Sequence, residues 1–229
     1  MLGYRVYMID ALLRRPSSSG EFFADSARLA CFFSLVGVVL WYGPVDVAVF
    51  LLVLMGALVS RCLELSRVFD GVYCLILLAA AWSSVLDLYA RIGWWDLPVH
   101  FAATGVIAVV AFYLLVRAGA VAHPGAARPV AARPGRPAPS SAVLRAAVPV
   151  LVLSLGLAVS VLWELGEWVG HTFVDENINV GYQDTLGDLA AGGLGALLAG
   201  FLLLVCTRGT ADAAASPGLL RLRPRRLNQ

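Results

Sequence analysis

Six apolar stretches dominate the chain, at residues 28–42, 45–60, 71–90, 97–116, 144–168 and 185–206. A helix needs roughly 20 residues to cross the hydrocarbon core of a bilayer, and the longer stretches match that length. The first two are shorter and separated only by Gly43-Pro44, so they read as a tight helical hairpin. Residues 118–142 are rich in Ala, Pro, Gly and Arg. Such a segment cannot bury a core and reads as a flexible loop. The pattern predicts an all-α fold, a polytopic transmembrane bundle of about six helices. It divides into an N-terminal arm (1–27), a hairpin (28–60), helices three and four (61–117), the loop (118–142), helices five and six (143–206) and a basic tail (207–229).

Composition strengthens this picture. The 229 residues are 60% hydrophobic and 14% charged, with a mean hydropathy of +0.81. That balance lies outside the range of soluble globular chains. All 17 basic side chains are Arg. Together with abundant Ala, Gly and Pro, this points to a GC-rich bacterial source and hence to a bacterial inner (plasma) membrane. Cys31, Cys62, Cys74 and Cys206 each lie in or beside an apolar stretch, and they read as small buried hydrophobes. The first 20 residues lack the apolar core and small-residue site of a cleavable signal. A short interfacial helix is expected there, with Leu2, Val6, Ile9 and Leu13 facing lipid.

Charge gives the bundle a direction, because short cytoplasmic loops retain Arg. With both termini cytoplasmic, 16 of the 17 arginines fall inside and only Arg91 falls outside. The tail, with Arg221, Arg223, Arg225 and Arg226, is expected to touch anionic headgroups and not nucleic acid. The six tryptophans lie towards the outer ends of their helices, as an aromatic belt does.

The acids follow another rule. Asp87, Asp96, Glu164, Glu167, Asp184 and Asp188 lie within or against spans on the outer side, with His100 and His171. Asp96 and His100 are four apart, with Thr104 one turn deeper. Glu164, Glu167 and His171 fall within about 60° on an ideal helix, if the helix continues that far. Asp184 and Asp188 extend into the small-residue ridge Gly192, Ala196 and Gly200, beside a second ridge of Gly187, Ala191, Gly195 and Ala199. Small residues four apart admit a close helix neighbour in lipid.

Ordinary roles compete with a site. Asp96 and Asp184 also read as helix N-caps, Asp87 as half of an ion pair with Arg91, and His171 as a solvated loop residue. Glu164, Glu167 and Asp188 resist such readings. The two glutamates sit near a helix C-terminus, where the macrodipole disfavours an anion. Asp188 lies a turn inside its span, where acids are costly and face a cavity or a partner. Several carboxylates close together need a cation or shared protons. Two imidazoles beside carboxylates suit Zn²⁺, Mn²⁺ or Fe²⁺, and carboxylates alone suit Mg²⁺ or Ca²⁺.

The segments Trp95-Asp96-Leu97-Pro98-Val99-His100, Leu162-Trp163-Glu164-Leu165-Gly166-Glu167-Trp168 and Asp184-Thr185-Leu186-Gly187-Asp188-Leu189, followed by Leu194-Gly195-Ala196, occur in this order. Over residues 71–205 the chain resembles the YjdF-like family of bacterial inner-membrane proteins. More loosely it is similar to VanZ-like membrane proteins. The resemblance implies that Asp96, His100, Glu164, Glu167, Asp184 and Asp188 occupy the family's polar positions. Gly192 departs from it, standing where Asn or Asp is expected.

The expected activity is that of a metal-dependent hydrolase or transferase acting on a lipid-linked substrate at the outer leaflet. His100, Glu164, Glu167 and Asp188 would hold the metal, and Asp184 or Asp96 would act as general base. Two other classes compete. One is a proton- or cation-coupled transporter, against which stand the apolar cytoplasmic halves of the spans and the lack of an inverted repeat. The other is a non-catalytic scaffold or modulator in which the acids form a structural polar knot.

Overall fold

A computed structural model describes residues 12–63, 65–121, 141–176 and 178–212. Most of the N-terminal interfacial segment, most of the 118–142 loop and the basic tail beyond residue 212 lie outside these residues. Helices account for nearly all the described chain, and among the described residues there is no strand. The elements are α1 (Ser19–Trp41), α2 (Pro44–Cys62), α3 (Arg67–Val85), the single turn α4 (Leu88–Arg91), α5 (Asp96–Arg117), α6 (Ser141–Phe173) and α7 (Tyr182–Asp212). Six of them are long and apolar enough to cross a membrane, as the hydropathy pattern predicts. The shortest, at 19 residues, spans about 28 Å at 1.5 Å per residue, close to the thickness of a bilayer core.

Two compact units meet in sequence between Leu88 and Tyr89. The first contains α1 to α3, which pack mutually. Local chemistry sets its turns. Ser18 and Ser66 cap α1 and α3 by accepting from the backbone N–H groups of Glu21 and Phe69, each at 3.4 Å. Pro44 opens α2, where its missing N–H costs nothing, and Asp46 accepts from the Gly43 N–H at 3.3 Å. Gly43-Pro44 thus joins α1 directly to α2, and the two helices pack together.

The first helix starts nine residues before the predicted 28, and the reason is ion pairing. Arg28 is only 7% exposed within α1. Its guanidinium donates to Asp25 at 2.6 Å, to Asp70 on α3 at 2.5 Å and to the Ala57 carbonyl of α2 at 2.9 Å. Ser60 donates to the other Asp70 oxygen at 2.7 Å. Arg61 pairs with Asp25 and also donates to the Arg14 and Leu12 carbonyls. Glu21, also buried, accepts from the Ser17 hydroxyl at 2.7 Å. Hydropathy cannot see such a network, because it counts each charge as a cost and ignores its partner. The i,i+3 spacing of Asp25 and Arg28 was its one sequence signal.

In the second unit α7 packs against both α5 and α6. The approach is closest at Gly195, where a Cβ would lie 1.9 Å from the Phe101 carbonyl oxygen. A Cβ on Gly200 would lie 2.7 Å from the Pro149 Cα. The small-residue ridges thus form the close helix contact that their spacing predicts.

Candidate functional site

One end of the second unit gathers most of the residues singled out in the sequence. α5 begins at Asp96 after Trp95, which adopts a helical conformation and makes no side-chain cap. Asp96 is therefore not an N-cap. Its Oδ1 instead lies 3.2 Å from His100 Nε2, and the same nitrogen lies 4.0 Å from Asp188 Oδ2 on α7. The three offer ligand atoms within 4.8 Å of one another. Asp188 is 2% exposed, and Asp96 and His100 are half-buried.

Asp184 is not an N-cap either. The Gly181 carbonyl accepts the first helical bond from Thr185 at 2.9 Å, which places Asp184 within the first turn of α7. Its Oδ2 accepts from Asn179 Nδ2 at 2.8 Å. Helix α6 runs on to Phe173, so Glu164, Glu167 and His171 do share one face. All three are half-buried, whereas Leu162, Trp163, Leu165, Trp168 and Val169 are exposed. The polar stripe thus faces inward and the apolar stripe outward, the reverse of a helix in water and the arrangement lipid requires.

Glu164 interacts electrostatically with His100 and Asp184, and it faces Thr185; its Oε1 is buried with no hydrogen-bond partner. Glu167 adjoins Glu164 and feels the same His100. Neither glutamate belongs to the tight Asp96, His100 and Asp188 group. His171 lies in the helix and not in a solvated loop. Its Nδ1 lies 2.7 Å from the Ile178 carbonyl. A carbonyl only accepts, so Nδ1 carries the proton and Nε2 is the basic nitrogen of the neutral ring. Asp87 belongs to the first unit, where it takes a left-handed φ of 54° in the turn after α3.

One turn below the acids, Thr104 of α5 and Ser160 of α6 bring their hydroxyl oxygens to 3.2 Å. Gly192 of α7 closes this layer, since a Cβ there would lie 2.6 Å from Ser160 Oγ and 2.8 Å from Thr104 Oγ1. The departure at Gly192 thus has a steric reason: two hydroxyls occupy the space an Asn side chain would need. Ser160 escaped the sequence reading, although it stands four residues from Glu164 as Thr104 does from His100. A further turn down, a Cβ on Gly156 would meet Ala196 Cβ at 2.3 Å and Ala108 Cβ at 3.4 Å. That layer is tightly packed.

These features define a class: a multi-pass helical membrane protein with a layered polar site at one end of a three-helix unit. The chain belongs to the family of predicted membrane proteins termed DUF2238, whose model matches residues 27–209. No curated protein and no solved structure matches it.

Proposed function

We propose that this is a bacterial plasma-membrane enzyme, with both termini cytoplasmic, that uses a divalent cation at the outer leaflet. The observation that carries this reading is the convergence of Asp96, His100 and Asp188 from two helices. Donor atoms about 2.1 Å from a tetrahedral centre stand about 3.4 Å apart. The separations of 3.2 and 4.0 Å from His100 Nε2 bracket that value. An imidazole with two carboxylates suits Zn²⁺, Mn²⁺ or Fe²⁺ better than Mg²⁺. The geometry favours Asp96 as a ligand over its alternative role as general base.

A cation bound there would act as a Lewis acid and activate water. Glu164, with a buried oxygen free to accept, is the group placed to take a proton. Glu167 and Asp184 flank it. The depth of the site suits the polar head of a lipid-linked substrate, with the acyl or polyprenyl part in the bilayer, and supports hydrolysis or group transfer at that head.

Elemental analysis of purified protein tests the proposal. One equivalent of metal is expected in the wild type, and it should be lost in Asp188→Asn and His100→Ala. A folded, metal-free wild type that takes up no Mn²⁺ or Zn²⁺ on titration would end it.

One feature favours a structural knot instead, namely that His100 lies between two carboxylates and could, with one of them protonated, balance the charge without an ion. In that case Asp188→Asn would unfold the protein whether or not metal is supplied. Transport is disfavoured by the packed layer of Ala108, Gly156 and Ala196 beneath the hydroxyls.

A further inference from the structure

We infer that Thr104, Ser160 and Glu164 form a binding site for one water molecule at the floor of the acidic layer. Two hydroxyls carry two protons, and the 3.2 Å contact between Thr104 and Ser160 consumes one. The other proton needs an acceptor, since Ser160 is 2% and Thr104 5% exposed. An unmet donor at such burial costs about 1–3 kcal/mol.

One turn above Ser160 on the same helix stands Glu164, whose Oε1 is buried and has no partner. Residues four apart on a helix hold their Cβ atoms about 5–6 Å from each other. A Glu side chain can span that distance, yet Oε1 bonds to no group of the protein, so one bridging oxygen would satisfy both it and the hydroxyl. Water is the ligand that accepts from a hydroxyl and donates to a carboxylate at once, and buried waters occupy such polar gaps.

The other two walls are dictated by the same residues. Gly192 offers no side chain that could intrude, and its backbone presses directly on both hydroxyls. The tightly packed layer of Ala108, Gly156 and Ala196 closes the way down. The water is therefore reached from the acidic layer alone. This deepens the enzymatic reading, on which its chemical use rests: the water lies against the proposed base Glu164, at the level from which a nucleophile would approach a substrate head. Thr104 and Ser160 are then positioning residues, acting through the water they hold.

The test is a structure of the wild type at a resolution that shows ordered water, with and without added Mn²⁺. An oxygen within hydrogen-bond distance of Glu164 and of either hydroxyl is expected in both. The infrared carboxyl band that disappears in Glu164→Gln should shift in Ser160→Ala and in Thr104→Val. It should return to its wild-type position in Thr104→Ser, which keeps the hydroxyl. A folded protein whose Glu164 band ignores both Ser160→Ala and Thr104→Val, or that shows no oxygen at the site, would overturn the inference. Water present in a protein that never binds metal would sink the metal reading alone and leave this one standing.

Discussion

Gly195 of α7 turns its Cα onto the Phe101 carbonyl of α5, and a Cβ at that position would lie 1.9 Å from the oxygen. The obstacle is backbone and cannot rotate away. Gly195→Ala must therefore separate the two helices that carry His100 and Asp188. We expect a loss of stability at or above the upper end of the ~1–3 kcal/mol typical of overpacking. Gly193→Ala is the control, since its Cβ would meet the flexible side chains of Leu157, at 3.0 Å, and Leu153, at 3.7 Å, and no backbone. Thermal unfolding in detergent should separate the two variants clearly.

Within the first unit, Arg28→Met leaves Asp70 buried beside Ser60 without its guanidinium. Breaking a buried pair from one side costs about 3–5 kcal/mol. The double variant Arg28→Met with Asp70→Leu removes both charges and should cost less than the two single changes added together. Additive costs in a double-mutant cycle would show that the pair is not coupled.

Metal dependence should follow geometry. Asp96→Asn and Asp188→Asn each remove an anionic charge from the tight group and His100→Ala removes its imidazole, and each should abolish stoichiometric Mn²⁺ binding. Glu167→Gln lies outside that group and should retain it. Binding by calorimetry on folded protein decides, and equal loss in all four would mean that the ligand set is drawn wrongly.

His171 offers a separate check. Its Nδ1 contact with the Ile178 carbonyl ties the connection between α6 and α7 to the end of α6. His171→Phe should lose this one bond, worth about 1 kcal/mol. It should expose residues 174–181 to faster hydrogen exchange while leaving metal binding intact. An unchanged exchange pattern would contradict the contact.

Much of this architecture was legible in the sequence because lipid simplifies the problem. Length and hydropathy alone locate six helices, and four-residue spacing predicts the close approach of α7. The same spacing places Asp96 beside His100. What it could not say was which of several acids converge, because that depends on helix rotation, and the two N-cap readings fell only when the helix starts were known. The Arg28 network stayed hidden for another reason. Its acidic partners, Asp25 and Asp70, resemble ordinary loop charges until three helices bring them to one point. Ser160 was overlooked because a serine in an apolar run carries no signal without the glycine and threonine opposite it.

The Arg28 pair also bears on how the protein is made. Asp70 follows Arg28 by 42 residues, so α1 emerges from the ribosome two helices before its long-range partner exists. During that interval only Asp25, three residues upstream, neutralises the guanidinium. A mid-span Arg raises the insertion cost of a helix by about 2.5–3.5 kcal/mol. The arrival of α3 with Asp70 thus lowers a cost that α1 carries alone while it is being made.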